Sequence, residues 1–159
     1  MSKPSHIDEK NQPTMVDVSA KAITTRTATA QGLVFLGEEI IDLLEGKDIH
    51  TPKGPVFQTA IIAGTQGVKR TSDLIPFCHT LLIDSIKFSM DVVDAKHVQI
   101  RCTVKCEGKT GVEMEALTGV STAALCIYDM CKAMSHDIEI KDICLQQKSG
   151  GKSNYTKEA

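Results

Sequence analysis

The segment KTGVEMEALTGVSTAALCIYDMCKAM, residues 109–134, is the longest helical pattern in the chain and is the basis of the fold prediction. Successive residues of an α-helix lie about 100° apart, so the larger apolar side chains of this segment fall on one broad arc. We expect that arc to face the protein core. It consists of Leu117, Val120, Ala124, Ile127, Tyr128, Cys131 and Met134.

The opposite face of this helix is built from small residues until Asp129, whereas an exposed helix face normally fills with long polar side chains. Small residues suit a face that another helix, another subunit or a ligand approaches closely. The members of this face are Thr118, Ser121, Thr122, Asp129 and Lys132.

Charged side chains at both ends of the helix allow two interpretations. Glu113 and Glu115 occupy its first turn, and Asp129 and Lys132 lie three residues apart near its end. For the helix alone, the simpler interpretation is a solvated face, with carboxylates favoured by the helix dipole and a surface ion pair. The alternative is that these charges face a ligand, and the rest of the chain must decide between the two.

The composition is that of one soluble globular domain, with 159 residues, 42% hydrophobic residues, 24% charged residues and a net charge of −2. The small net charge predicts no affinity for nucleic acid or for an anionic membrane. No apolar run approaches the roughly 20 residues of a membrane span. The polar N-terminus has neither a secretory nor a transit-peptide pattern, so we expect a cytoplasmic protein.

Strand and helix patterns alternate along the chain. Their order, one strand, helices, two strands, a helix and a strand, is the split-βαβ pattern. It predicts an α+β, ferredoxin-like antiparallel sheet with helices on one face. The uncovered face keeps several apolar positions, so we expect an oligomer. Predicted strands cover residues 24–36, 81–93, 96–107 and 137–146, and predicted helices cover residues 37–46, 55–75 and 109–134.

Polar, flexible tails are predicted on both sides of a single domain. Residues 1–14 form the N-terminal tail, residues 15–147 the ferredoxin-like domain, and residues 148–159 a Gly/Lys-rich C-terminal tail. The stretch KSGGKS (148–153) could wrap a phosphate with lysine and backbone N–H groups, or it could be a solvated tail. It is not a Walker loop, because that pattern needs glycine where the chain has Gln146.

The loop SDLIPFCHT (72–80) places Cys78 and His79 side by side between a predicted helix and a predicted strand. Adjacent cysteine and histidine could contribute to a zinc site, but zinc usually needs a second ligand pair at short spacing, which the chain lacks. The six cysteines are interpreted as reduced thiols. We therefore predict neither a metal nor another cofactor.

Four long segments resemble the molybdenum cofactor biosynthesis protein C family, the cyclic pyranopterin monophosphate synthases. The similarity extends from about residue 15 to residue 153, with Ser72 and Thr80 as small departures. The segments are MVDVSAKA (15–22), KGPVFQTAIIAGTQGVKRTSDLIPFCH (53–79), KTGVEMEALTGVSTAALCIYDMCKA (109–133) and KSGGKS (148–153).

The resemblance implies a ferredoxin-like fold assembled as a homo-hexamer, a trimer of dimers, with the active site between subunits. The implied substrate is a small purine-nucleotide-derived triphosphate, (8S)-3′,8-cyclo-7,8-dihydroguanosine 5′-triphosphate. The implied products are cyclic pyranopterin monophosphate and diphosphate. On this basis the small-residue face of the long helix is interpreted as the place where substrate or a second subunit comes close.

Site residues follow from the same resemblance, position by position. Asp129 is the implied catalytic residue, with Lys132 and Lys53 as essential lysines. We expect Asp129 and Lys132 to transfer protons while Lys53 acts from a facing subunit. The resemblance also implies that Phe77, Cys78, His79, Met114 and Glu115 bind the substrate, with Glu113 adjacent to them. Four further cations are candidates to neutralise the charge on the leaving diphosphate, together with Lys53: Lys69, Arg70, Lys148 and Lys152.

Two other functions fit parts of the sequence. One is a zinc-dependent nucleotide cyclohydrolase that uses Cys78 and His79 with a distant thiol, Cys102 or Cys106. The other is a hexamer that binds or hands on a nucleotide without turnover. Stoichiometric zinc would favour the first, and tight binding without product release would favour the second.

Overall fold

An antiparallel five-stranded sheet with two long helices on one face forms the body of the chain. The computed structural model describes residue 10 and residues 12–158, so most of the predicted tail 1–14 lies outside the described residues. The strands are β1 Thr24–Phe35, β2 Leu44–Glu45, β3 Asp48–Thr51, β4 Gly54–Pro55, β5 Ser85–Val92, β6 His97–Gly108, β7 Glu139–Ser149 and β8 Tyr155–Thr156. The helices are α1 Glu38–Ile41, α2 Val56–Lys69, α3 Thr71–Leu74 and α4 Glu113–Cys131.

The central strands β1 and β6 pair along their whole length, from Thr24 opposite Gly108 to Phe35 opposite His97. The strand order is β5-β6-β1-β7-β8, and every pairing is antiparallel. Alternate residues of β1 and β6 are buried, which is the period expected when one face packs against helices. The α+β prediction and the four main strands are confirmed.

Helix α4 buries most of the predicted apolar arc. Val120, Ala124, Ile127 and Cys131 are fully buried. Met134 is 39% exposed, because the helix ends at Cys131 and the chain has already turned away from the core.

No helix within the described residues is long and apolar enough to cross a membrane.

Helix α2 crosses the small-residue face of α4, and glycines make this crossing close. A Cβ atom on Gly64 would lie 2.5 Å from Cζ of Phe88 and 2.9 Å from the carbonyl oxygen of Gly119. A Cβ atom on Gly67 would meet the side chain of Thr122. Helix α2 therefore covers this face at Thr118 and Thr122, and only its end at Asp129 and Lys132 stays open to substrate or a second subunit.

We expect Gly64→Ala to lower the free energy of unfolding by about 1–2 kcal/mol. The overpacking of the new methyl group against a backbone oxygen outweighs the better helix propensity of alanine. Thermal and urea unfolding would measure the change. Gln66→Ala, on an exposed position of the same helix, is the control and should be nearly neutral; an unchanged Gly64→Ala would mean that the two helices separate at little cost.

The segment predicted as a helix over 37–46 is helical only in α1, and its second half forms β2. Gly46 has a φ of 65°, and with Lys47 it forms the turn that pairs Glu45 with Asp48. The glycine that was expected to end a helix therefore reverses a strand. The predicted helix 55–75 is likewise divided into α2 and α3, and β7 continues to Ser149.

Candidate active site

Three of the expected catalytic side chains meet at the C-terminal end of α4. The Lys53 Nζ donates to Asp129 Oδ2 at 2.8 Å and to the Asp129 carbonyl oxygen at 3.0 Å. The Lys132 Nζ lies 2.7 Å from Asp129 Oδ1. Both carboxylate oxygens are thus held by ammonium groups, in what we call the lysine–aspartate cluster. Lys53 reaches Asp129 of its own chain, so this pairing needs no facing subunit.

Local structure explains why these groups converge. Thr51 pairs with Gly54, so Lys53 lies in the two-residue turn between β3 and β4. The Lys53 N–H donates to the Thr51 hydroxyl at 3.2 Å, and that hydroxyl donates to the Gly54 carbonyl, also at 3.2 Å. Asp129 and Lys132 are one turn apart on α4 and therefore face the same side.

The electrostatics of the lysine–aspartate cluster favour the charged forms of Asp129 and Lys132. Hydrogen bonds and charges from Lys132, and then from Lys53, lower the pKa of Asp129 to about 2. The same contact with Asp129 raises the pKa of Lys132. The three side chains are each a little over half exposed, so solvent screens the attraction and the cluster contributes little to stability. Its significance lies in the fixed position of two cations.

A cavity of about 400 Å³, the first cavity, opens at the other end of α4. Six residues expected at the substrate meet there, three from the start of α4 and three from the loop after α3. They are Phe77, Cys78, His79, Glu113, Met114 and Glu115. The volume lies within the range of small-molecule sites.

Glu115 is the buried acid of the first cavity, with 3% of its surface exposed. Burial raises its pKa, and the neighbouring charge of Glu113 raises it further. Burial and the charge of Glu115 also raise the pKa of the Cys78 thiol. Cys78 is therefore a neutral thiol near pH 7 and a poor nucleophile. Glu115 is thus a carboxyl group whose surroundings favour the protonated form more than water does.

An extended N-terminal segment lies across the first cavity. His79 Nε2 lies 2.7 Å from the carbonyl oxygen of Val16, and Lys109 Nζ donates to the carbonyl oxygen of Ser19 at 2.7 Å. A carbonyl only accepts, so the hydrogen of His79 is on Nε2, which in the neutral ring leaves Nδ1 as an acceptor. Val16 and Val18 line this cavity, and the sequence analysis assigned them no role.

A second cavity of about 140 Å³ adjoins the first and shares Thr110, Gly111 and Glu113 with it. Five cationic residues line it: Lys21, Arg26, Lys109, Lys148 and Lys152. Such a concentration of positive charge beside N–H groups of glycine-rich backbone suits a polyphosphate.

Ion pairing and hydrogen bonding fix two of these cations. Lys148 Nζ lies 3.0 Å from Glu113 Oε1. Arg26 is 9% exposed and donates from Nε to the Gly108 carbonyl at 3.2 Å. The sequence analysis missed Lys21, Arg26 and Lys109. A signal existed for Arg26, because it stands at a core-facing position of the predicted strand 24–36.

The remaining expected cations lie elsewhere. Lys69 and Arg70 are exposed at the C-terminal end of α2 and line neither cavity. No three histidine, cysteine, aspartate or glutamate side chains come together as a possible metal site in the part of the chain that the structure describes. The zinc hypothesis built on Cys78 and His79 therefore has no complete ligand set there.

The two groups of site residues lie far apart within one chain. Glu113 and Asp129 are both in α4, and sixteen residues at 1.5 Å each place them about 24 Å apart along the helix axis. The lysine–aspartate cluster and the two adjoining cavities therefore occupy opposite ends of the same helix.

This architecture, an α+β domain with an acid-, thiol- and imidazole-lined cavity beside a cation-rich one, defines a small-molecule site suited to anionic ligands. The MoaC family model matches residues 15–151, and the chain belongs to that family. The family expected from the four sequence segments is confirmed.

Curated relatives extend this result. The chain is 51% identical over 148 residues to the cyclic pyranopterin monophosphate synthase of Xanthomonas oryzae pv. oryzae, covering 93% of this chain and 90% of the relative. It is 52% identical over 152 residues to the enzyme of that name from Campylobacter jejuni, covering 95% and 96%. It is 53% identical to the molybdenum cofactor biosynthesis bifunctional protein of Synechocystis, covering 96% of this chain but 45% of that longer protein.

Proposed function

We propose that this chain is a cyclic pyranopterin monophosphate synthase of molybdenum cofactor biosynthesis. It converts (8S)-3′,8-cyclo-7,8-dihydroguanosine 5′-triphosphate to cyclic pyranopterin monophosphate and diphosphate. The observation that carries the proposal is that six residues expected at the substrate line one cavity and the three expected catalytic residues form one cluster. Two relatives that carry the synthase name align with this chain over at least 90% of its length and at least 90% of their own.

The adjoining cavities divide the substrate by chemistry. The first cavity takes the purine-derived rings, because it combines apolar walls with Glu115 and His79. The second cavity takes the triphosphate, because it presents several cations. A sugar hydroxyl attacks the α-phosphorus, a cyclic phosphate closes, and diphosphate leaves. Fixed cations stabilise the negative charge that grows on the leaving group.

Proton transfer during ring rearrangement is assigned to groups whose charge can change. Glu115, whose burial raises its pKa, and the imidazole of His79 are in position to exchange protons in the first cavity. Asp129 is a weaker base, because two ammonium groups lower its pKa to about 2. Its part is to hold Lys53 and Lys132 in one orientation, from which both ammonium groups can stabilise negative charge on an intermediate.

The distance of about 24 Å along α4 supports an active site shared between subunits. The lysine–aspartate cluster of one chain then approaches the cavities of another, within the homo-hexamer, a trimer of dimers, that the resemblance implies. Two-fold symmetry gives each dimer two such sites, each made from the lysine–aspartate cluster of one chain and the cavities of the other. The sheet face that points away from the helices is weaker support for an oligomer, because Thr27, Thr29 and Gln31 make much of that face polar.

The ferredoxin-like topology is part of the same proposal. The four long strands stand in the order β7-β1-β6-β5, and helices α2 and α4 each connect two of them on one face. This order supports a split βαβ domain. A single domain over residues 15–147 between tails 1–14 and 148–159, and a cytoplasmic location, stay predictions.

The direct test is to mix the purified protein with enzymatically generated 3′,8-cyclo-dihydro-GTP and to measure diphosphate release together with the mass of the pterin product. We expect one diphosphate for each cyclic pyranopterin monophosphate formed. Tight binding without release of diphosphate would contradict the synthase and would support a nucleotide-binding role. Sedimentation in the same buffer should find an oligomer, and a monomer with full activity would contradict the shared site.

A further inference from the structure

Helix α2 begins without a cap of its own. The residue before its first turn is Pro55, which has no side-chain hydrogen bond to the helix. The first N–H groups of a helix have no partner within the helix, and an N-cap side chain usually accepts from the second or third of them. Here those are the N–H groups of Phe57 and Gln58.

Asp48, at the start of β3, supplies the missing acceptor from outside the helix. Its Oδ1 accepts from the Phe57 N–H at 2.7 Å and its Oδ2 accepts from the Gln58 N–H at 3.0 Å. Oδ1 also accepts from the Ile49 N–H at 2.7 Å. The side chain is well covered, since Asp48 is 7% exposed. One carboxylate therefore binds the first turn of α2 to the first residues of β3.

This link closes a short loop of chain around Lys53. Residues 48–58 run through β3, the turn, β4 and the start of α2, and Asp48 joins the two ends of that segment. Lys53 lies at the tip, 2.8 Å from Asp129. Since α2 packs against α4, the direction in which the hairpin leaves α2 decides whether the Lys53 ammonium reaches Asp129.

We propose that Asp48 is a positioning residue for the synthase reaction, which acts through Lys53 by fixing the β3–β4 hairpin to the first turn of α2. The proposal rests on the proposed function for its kinetic consequence, but the position of Lys53 can be tested without any activity. Without Asp48, the hairpin keeps its own turn and loses its anchor. The Lys53 ammonium then leaves the lysine–aspartate cluster for part of the time.

The first measurement is the titration of the Asp129 carboxyl group by NMR in the wild type, Asp48→Ala and Lys53→Ala. The wild-type pKa is about 2, and removing Lys53 should raise it toward its ordinary value of 3.8. We expect Asp48→Ala to raise it toward the Lys53→Ala value. Asp94→Ala is the matched control, because Asp94 also accepts a backbone N–H, that of Lys96, but in the turn between β5 and β6, where it makes no contact with Lys53.

The second measurement is a double-mutant cycle on diphosphate release. We expect Asp48→Ala to lower kcat by about 10–100-fold, the usual consequence of a displaced catalytic group, with a smaller change in KM. In the Lys53→Ala background the same substitution should change kcat by less than about 2-fold, because its effect passes through Lys53. A cap that served stability alone would change kcat equally in both backgrounds, and would overturn the proposal.

Folding is controlled within the same set of variants. We expect Asp48→Ala to lower Tm by a few degrees, which leaves the protein folded at 20 °C. If that variant does not fold, Asp48→Asn serves, because its amide oxygen still accepts from Phe57 while its NH₂ group faces the Gln58 N–H. A folded variant with an unchanged Asp129 pKa overturns the proposal. If the wild type releases no diphosphate, the proposed function fails, and the titration still decides the role of Asp48.

Discussion

Replacing Lys53 by alanine lowers kcat for diphosphate release by about 10²–10⁴-fold, the range that one positioned cation or proton donor contributes. The Lys53 Nζ touches two oxygens of Asp129 and its side chain is 53% exposed. Its loss therefore removes a fixed charge without opening the core, and the variant should keep its Tm and oligomeric state. Steady-state kinetics with thermal unfolding and sedimentation would measure all three.

Asp129→Asn should fall in the same range, because it removes the charge that holds Lys53 and Lys132 together. Lys141→Ala is the control, since Lys141 is a β7 lysine paired with Glu139 at 3.2 Å and lines neither cavity. It should stay within about 2-fold of the wild type. A Lys53→Ala enzyme with more than a tenth of wild-type kcat would remove the lysine–aspartate cluster from the mechanism.

The pH dependence follows from the direction of the pKa shift. The folded pKa of Asp129 is depressed to about 2, so its ion pairs are fully present above its ordinary value of 3.8 and are lost as pH falls toward 2. Between pH 5 and pH 8 this carboxylate stays ionised. A pH–rate profile would measure this, and an acidic limb of kcat within that interval must come from a group other than Asp129.

If the active site is shared between subunits, we expect two variants that are inactive alone to restore activity when their chains assemble together. His79→Ala damages the first cavity, and Asp129→Asn damages the lysine–aspartate cluster at the other end of α4. In a mixed dimer, one site receives both damaged halves and the other receives two intact halves. Random pairing makes half of the dimers mixed, so about one quarter of wild-type activity returns.

The matched control for this mixing experiment is a pair of variants in the same half. Lys53→Ala mixed with Asp129→Asn leaves every site with one damaged cluster, so no activity returns. Diphosphate release after co-expression, or after joint unfolding and refolding, measures both mixtures. If His79→Ala and Asp129→Asn fail to restore activity while wild-type chains survive the same treatment, the two ends of α4 do not serve a shared site.

The long elements could be predicted from the sequence because their burial repeats over many residues. The pattern of α4 and the alternation of β1 and β6 survive in the structure with small changes at their ends. The ribbon β2–β4 was missed because its strands have only two to four residues, too few for a period to be recognised. Its turn at Gly46 was mistaken for a helix end, which glycine marks equally often.

The site could be predicted only as separate groups of residues. Lys53 and Asp129 are 76 positions apart, so only the packing of α2 on α4 brings them into contact. Arg26 could have been found from its charge at a core-facing strand position. Lys21 and Lys109 carry no such signal, because exposed lysines are common and these two become site residues only through the second cavity.

The ion pair between Glu113 and Lys148 has a consequence for selection among the anions of the cell. It joins the start of α4 to β7 at 3.0 Å, and while Glu113 lines both cavities, Lys148 lines the second. A single inorganic phosphate must compete for Lys148 with the Glu113 carboxylate. Because that carboxylate belongs to the same chain, its effective concentration at Lys148 is high. Three linked phosphoryl groups can contact the neighbouring cations before that lysine is released. We therefore expect the second cavity to bind inorganic phosphate more weakly than it binds the polyphosphate chain of a nucleotide.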